Sequence, residues 1–131
     1  KWNKLFRLSA FYTYTDGYIV KDISETPIMR RPKHSAGASL DYTISKRVAA
    51  VLIHKWIGER HDTYFDLSSY ATNEVKLSGY HRTDLYIQYQ PSQKFVFFID
   101  AKNVFDRQFS EFIGYNSAGI NFNAGINFKI Q

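Results

Sequence analysis

The sequence predicts an all-β chain, specifically an antiparallel transmembrane β-barrel segment of about six meander strands. Three observations carry that prediction. From Ile120 to Ile130 every even position is apolar (Ile120, Phe122, Ala124, Ile126, Phe128, Ile130) and every odd one is small or polar (Asn121, Asn123, Gly125, Asn127, Lys129). Successive side chains of a strand point to opposite faces, so this ribbon has one greasy side and one wet side. Eleven residues at about 3.3 Å rise and a tilt of roughly 45° span about 26 Å, close to the ~25 Å apolar band of an outer-membrane barrel. The second observation is the aromatic content, 18% of 131 residues with ten Tyr and eleven Phe. Mean hydropathy is nonetheless negative, as expected where half of each strand faces water. The third is the alternation of short and long connections between strand-like stretches.

Period-two patterning defines the elements in order. The first runs from Trp2 to about Thr15, with Trp2, Lys4, Phe6, Leu8, Ala10, Tyr12 and Tyr14 on one side. The second runs from His34 to Ser45, where Ala36, Ala38, Leu40, Tyr42 and Ile44 alternate with Ser35, Gly37, Ser39, Asp41 and Thr43. The third, Arg47 to Arg60, is apolar on both sides from Val48 to Ile53, and a bulge is expected there. The fourth, about Val75 to Gln90, opposes Leu85, Ile87 and Tyr89 to Asp84, Tyr86 and Gln88. The fifth, Lys94 to about Val104, opposes Phe95, Phe97, Ile99 and Ala101 to Asp100 and Lys102, with Val96 and Phe98 on the wetter side. The sixth is Ile120–Ile130.

Ser45-Lys46 and Pro91-Ser92-Gln93 are tight turns, whereas Asp16 to Lys33, His61 to Glu74 and Phe105 to Ala118 are long. Outer-membrane barrels have tight periplasmic turns and extended extracellular loops. The short turns and the C-terminus therefore belong at the periplasmic end. Trp2, Phe6, Tyr12, Tyr14, Trp56, Tyr89, Phe95, Phe122 and Phe128 fall mostly near strand ends, the headgroup level that amphipathic rings favour.

Composition excludes several alternatives. There is no cysteine, so disulfides and thiolate metal sites are ruled out. No apolar run approaches the roughly 18 residues of a membrane helix. The net charge of +5 is scattered apart from Met29-Arg30-Arg31-Pro32-Lys33, read as a solvated loop, and nucleic acid is not an expected partner. Ser, His and Asp occur without a G-x-S-x-G element, and His34, His54, His61 and His81 lack zinc spacing, so neither enzyme chemistry nor a metal is expected. No cofactor is called for, since no glycine-rich phosphate loop occurs. Asp84 and Asp100 read as lumen charges paired with Arg82 or Lys102. The chain opens at Lys1 without an initiator Met, in a strand-like pattern, which suggests that its natural N-terminus lies upstream.

An ordered set of motifs resembles the C-terminal part of TonB-dependent outer-membrane receptors. Arg31-Pro32-Lys33-His34 resembles that family's R-P-x-H strand start, and Trp56-Ile57-Gly58-Glu59-Arg60 its Y-x-G-x-R strand end. Asn103-Val104-Phe105-Asp106 resembles N-L-F-D, and Phe109 to Gly119, with Tyr115 and Ala118-Gly119, the loop that follows. The C-terminus resembles the signal read by the barrel-assembly machinery, with Asn123, Gly125, Phe128 and Ile130 at its defining positions, although the family often ends on an aromatic residue.

The resemblance implies a barrel of 22 strands with an N-terminal plug inside. Residues 1–131 would be its C-terminal part, with the plug domain and N-terminal barrel strands absent. It implies a bacterial outer-membrane receptor taking up a scarce nutrient such as a ferric siderophore or cobalamin. Its partners would be outer-membrane lipid, the rest of the receptor, the barrel-assembly machinery, TonB through the absent plug, and a small-molecule ligand of unknown identity. Ligand contacts are expected in the loops, at Arg60, His61, Tyr64 and Phe65 and at Phe112, Tyr115 and Asn116, where aromatics and Arg can stack on and neutralise a chelate. Two other readings fit the strand pattern: an oligomeric outer-membrane anchor gathering strands from several subunits, and a soluble β-barrel binding a small ligand.

Overall fold

The structure, a computed structural model, describes residues 5–21 and 23–130. The predicted first-strand start at Trp2 and the terminal Gln131 lie outside these. The described residues form twelve strands: β1 Phe6–Tyr14, β2 Tyr18–Lys21, β3 Ser24–Pro27, β4 His34–Thr43, β5 Val48–Ile57, β6 Arg60–Asp66, β7 Ala71–Leu77, β8 Tyr80–Tyr89, β9 Phe95–Lys102, β10 Ser110–Phe112, β11 Tyr115–Asn116 and β12 Asn121–Phe128. Six of them make one antiparallel meander in the order β1-β4-β5-β8-β9-β12, and the rest pair as three hairpins, β2-β3, β6-β7 and β10-β11. Each hairpin occupies one of the long connections, so those loops are built rather than irregular.

Registers are uninterrupted along β1-β4, β4-β5, β5-β8, β8-β9 and β9-β12. The bulge expected in the third strand is absent, because Val48–Ile53 pair in step with both neighbours. Its mixed polarity has another cause: Val51 and Ile53 occupy the wet face, opposite Tyr86 and Asp84. The third and fourth predicted strands are also shorter than expected. They leave the sheet at Gly58 and Gly79, and their outer portions become β6 and β7. A Cβ on Gly58 would stand 2.7 Å from the His34 carbonyl oxygen, and one on Gly79 2.8 Å from that of Ile57, so only glycine lets the two chains pass there.

Paired residues of an antiparallel sheet share a face. Followed across the sheet, the registers put Leu8, Leu40, Leu52, Leu85, Ile87, Ile99, Ala124 and Ile126 on one side. Every charged residue of these six strands (Arg7, Asp41, Lys55, Arg82, Asp84, Asp100 and Lys102) lies on the other. Burial is inverted relative to a water-soluble domain. Among the described residues the only buried apolar side chain is Ala101, whereas Arg60, Asp62, Thr83, Asp84 and Asn103 are buried. Phe122, Ile126 and Phe128 are 66%, 63% and 55% exposed. A continuous exposed apolar surface of this extent belongs against lipid. The soluble-barrel reading fails here, since the sheet is open and its greasy side encloses nothing.

Both faces are organised beyond polarity. At the short-turn end Phe6, Tyr42, Tyr89, Phe95 and Phe128 form an apolar-face girdle, with the Phe95 and Phe128 rings 4.9 Å apart. At the other rim Tyr12, Tyr14, His34 and Trp56 share the same face. On the wet face Arg82 and Lys102 lie 3.2 and 4.0 Å from the Asp84 carboxylate, and Lys102 reaches Asp100 at 3.1 Å. Phe11 and Phe98 cover the registered glycines Gly37 and Gly125, where a Cβ would come 2.5 and 2.6 Å from the ring. The tight turns are held by serines: the Ser45 hydroxyl accepts from Arg47 N and Val48 N at 3.2 and 3.1 Å, and that of Ser92 from Lys94 N at 3.3 Å.

A charge placed mid-strand separates the two faces. Leu52→Lys, in a full-length receptor folded into a bilayer, is expected to cost about 2–4 kcal/mol in urea unfolding. Ser39→Lys, on the wet face, should change stability by less than about 1 kcal/mol.

Candidate functional site

The site begins where the strands leave the membrane. Asn103, 2% exposed, directly follows β9 with φ 51°, a left-handed conformation that Asn tolerates better than most residues. Its amide N–H donates to Asp84 Oδ1 at 3.0 Å. Its side-chain Nδ2 donates to the carbonyls of Arg107 (2.9 Å) and Ala118 (3.2 Å), while Oδ1 accepts from Arg107 N (3.1 Å). One side chain thus ties the two feet of the 103–120 loop together. Asp106 completes the staple by accepting from Ile120 N at 2.9 Å, and a Cβ on Gly119 would meet that carboxylate at 2.6 Å. The Asn103–Asp106 and Ala118-Gly119 motifs therefore fold this loop back over the rim.

Two buried side chains of β6 then bind the loops to one another. Asp62, fully buried, accepts from Arg30 Nε (2.7 Å) and Thr63 N (2.8 Å) on one oxygen and from Ile113 N (2.8 Å) on the other. Burial opposes its ionisation, but the Arg30 guanidinium and the two backbone N–H groups outweigh that and hold the carboxyl below the ordinary range. Arg30 has φ 62°, and its own amide donates to the His61 carbonyl at 2.6 Å. The basic run at 29–33, expected to be a free solvated loop, is therefore anchored at Arg30. Arg60, 4% exposed, donates to the carbonyls of Glu111 (3.1 Å from one nitrogen) and Ser78 (3.4 Å), and to that of Ser110. Its Cζ lies 5.3 Å from the centroid of the Tyr80 ring, which stacks on Phe109 at 3.9 Å and 4°.

The predicted contact residues divide accordingly. Arg60, His61, Tyr64 and Phe65 lie on β6, Phe112 on β10, and Tyr115 and Asn116 on β11. Arg60 has its donors committed to loop carbonyls. Tyr64 and Phe65 are exposed, and the Phe65 ring meets Tyr70 edge-on at 6.4 Å. His61 contacts the Glu74 carboxylate. Phe112, under the Arg30 guanidinium at 5.3 Å, lines with Tyr115 and Asn116 a cavity of about 480 Å³ on the wet side of the rim, whose wall includes Arg82 and Lys102. The Arg82 Nε is buried without a hydrogen-bond partner. The C-terminal residues singled out for assembly place Asn123 opposite Asp100, Gly125 under Phe98, Phe128 against Phe95, and Ile130 beyond the end of β12, 87% exposed. Among the described residues no three His, Asp or Glu converge as a metal site.

Asp62 and Arg30, and Arg82 and Lys102 as a cavity wall, escaped sequence reasoning. Alternation would have put Asp62 on the same side of its strand as Arg60, but nothing local showed that this side faces another loop.

A family model described as TonB dependent receptor-like, beta-barrel matches residues 1–104, and the chain belongs to that family. Similar solved structures cover 95–98% of the chain. One is the ferric-catecholate import receptor Fiu of E. coli in its closed form (TM-score 0.79, 17% identity, 97% of this chain and 19% of that one). Another is the ferripyoverdine receptor of the outer membrane of Pseudomonas aeruginosa bound to ferripyoverdine (0.75, 17%, 98% and 18%). A third is the siderophore receptor PirA of Acinetobacter baumannii (0.73, 15%, 95% and 20%). The chain spans at most a fifth of each. These are receptors rather than enzymes, and the chain is a segment of a bacterial outer-membrane barrel.

Asp62, with donors from Arg30, Thr63 and Ile113, is the latch between the loops, and it has a pH signature. A carboxyl held below its unfolded value lends stability that is complete above that value, about 3.9, and lost as pH falls through the lower, folded one. With spin labels at Leu67→Cys and Tyr115→Cys, the distance between loops should be narrow at pH 7 and broaden only below about pH 4. Asp62→Ala, which leaves two backbone donors unsatisfied at about 1–3 kcal/mol, should broaden it at every pH.

Proposed function

We propose that this chain is the C-terminal wall and loop scaffold of a TonB-dependent receptor that takes up a ferric siderophore. The observation that carries the reading is the wet-side cavity under the bonded loops, lined by Phe112 and Tyr115 of one hairpin and by Arg82 and Lys102 of the barrel wall, with Glu111 as its one carboxylate. Phe112, Tyr115 and Asn116 are the ligand contacts on that cavity, with the exposed Tyr64 and Phe65 meeting the ligand from β6; His61, which is engaged by Glu74 and does not line that cavity, is not among them. Arg60 acts by holding the hairpin that presents Phe112. The unpartnered Arg82 Nε offers a donor to an anionic chelate or to a carbonyl of the plug. Family membership supports a plug and TonB as further partners, and the similar siderophore receptors support the ligand class. Six strands leave two unpaired edges, which hydrocarbon does not tolerate, so β1 and β12 meet the remaining strands of a larger barrel. Asn123, Gly125, Phe128 and Ile130 then serve as the assembly signal, on a strand whose outer edge is open for pairing.

Equilibrium binding to the full-length receptor tests the reading, with a ferric catecholate, ferripyoverdine and cyanocobalamin as probes. One of the two iron chelates should bind and cyanocobalamin should not. Tyr115→Ala and Phe112→Ala should each weaken the bound chelate about tenfold, the scale of one aromatic or cation–π contact. Unchanged affinity in both variants would remove these residues from the ligand site.

A further inference from the structure

Scattered along the sequence, the cations are segregated in the fold. The stretches that make the short-turn end, 42–51, 86–99 and 124–131, hold Lys46, Arg47, Lys94 and Lys129 and none of the chain's twelve Asp and Glu residues. All four cations are exposed, and among the described residues none of them has an ion-pair partner. The loop end differs, since Arg30, Lys33 and Lys76 are each set against a carboxylate there.

The registers place these charges. Phe95 and Phe128 are opposed on the apolar face, and the pairing runs one residue further, with Lys129 N donating to the Lys94 carbonyl at 2.9 Å. Lys94 and Lys129 therefore stand opposite each other just past the girdle, and alternation puts them on the wet side. Val48 and Tyr89 are opposed in the same way, and Gln90 N donates to the Arg47 carbonyl at 2.7 Å, so Arg47 falls on that side too. Like charges directly opposed across two strands repel, and these stretches hold no carboxylate to relieve them. Because β5, β8, β9 and β12 are successive in the sheet, the row from Arg47 to Lys129 is roughly 15 Å long at about 4.8 Å per strand.

The place and form of this row narrow its partner. It lies off the lipid side, where the ring girdle occupies the same depth, so it does not face headgroups. Short turns belong to the periplasmic end of a barrel. Ser45-Lys46 and Pro91-Ser92-Gln93 are too short to wrap a small anion, and serine hydroxyls hold them in place. A folded protein partner needs apolar or aromatic anchors at the centre of its interface. The large apolar side chains exposed at this end, such as Ile44, Tyr89, Phe95 and Ile130, all fall on the lipid side instead. What suits a shallow row of unpaired cations is a flexible polymer carrying repeated carboxylates, bound by several weak contacts at once. We propose that Arg47, Lys94 and Lys129, with Lys46 at the turn tip, bind the carboxylates of peptidoglycan, the periplasmic glycan with acidic peptide branches, and so tether the barrel wall to it. The proposal rests on the orientation of the sheet and not on the siderophore reading.

Co-sedimentation of the full-length receptor, held in nanodiscs of zwitterionic lipid, with purified peptidoglycan sacculi tests it. The wild type should be retained at about 0.05 M salt and released at about 0.5 M, where the screening length falls to about 4 Å. Sacculi whose carboxylates have been methyl-esterified should retain about tenfold less of it, the scale of three exposed ion contacts acting together. The triple variant Arg47→Gln, Lys94→Gln, Lys129→Gln should lose about as much on untreated sacculi. Its ferric-chelate affinity and the heat-modifiable gel mobility of the folded barrel should be unchanged. Equal retention of the wild type on native and esterified sacculi would overturn the proposal, and that comparison requires no variant to fold. Undiminished retention of the folded triple variant would overturn it as well. So would displacement by polyglutamate at a lower carboxylate concentration than by soluble peptidoglycan fragments, because the partner would then be an acidic polypeptide.

Discussion

A backbone amide in hydrocarbon has no water to turn to, so it must find a carbonyl on a neighbouring strand. The rest of this structure depends on how that requirement is met. Five uninterrupted strand pairings keep every residue of the meander in step, and being in step keeps each side chain on its own face. A one-residue slip of β8 or β9 against its neighbours would carry Asp84, Asp100 or Arg82 into lipid. The lumen charges therefore enforce the register as much as they follow from it. The covered glycines Gly37 and Gly125 add a steric check at the sites where Phe11 and Phe98 lie across them.

Above the membrane the organising principle changes. The wall is held by repeated, near-equivalent backbone bonds, whereas the loops are held by a few buried polar side chains, each with several partners. Asn103 closes one loop at its base, and Asp62 and Arg60 join it to its neighbours. A buried carboxylate with three donors is costly to leave half satisfied, so this arrangement favours a single loop geometry. Gly58 and Gly79 mark the boundary between the two regimes.

Much of the wall was legible in the sequence, and the reason is its periodicity. Alternation in Ile120–Ile130 and His34–Ser45 reports a face directly, and the strands there match within a few residues. Where both faces are apolar, as in Val48–Ile53, the pattern is silent and the register had to come from the neighbours. The loop hairpins were missed because β6 and β7 continue the preceding and following strands without a composition break, and only the close approach at Gly58 and Gly79 separates them. The latch was hidden for a different reason. Arg30 and Asp62 are 32 residues apart, and Ile113 takes part through its backbone, which no side-chain motif records. The aromatic residues proposed for ligand contact were visible as types, but not the cavity that brings some of them opposite Arg82 and Lys102.

The shared carboxylate of Asp62 has a bearing on how such a protein can diversify. Because one buried acceptor serves Arg30 of the first loop and the Ile113 amide of the third, exchanging the second loop for a foreign sequence would strand the donors of the other two, and exchanging either of those would leave the buried carboxylate short of a donor. Specificity on this scaffold would thus be inherited as a trio of loops. A chimera that transplants the crown intact keeps its own internal bonding, and the staves beneath it need only match at the glycine hinges.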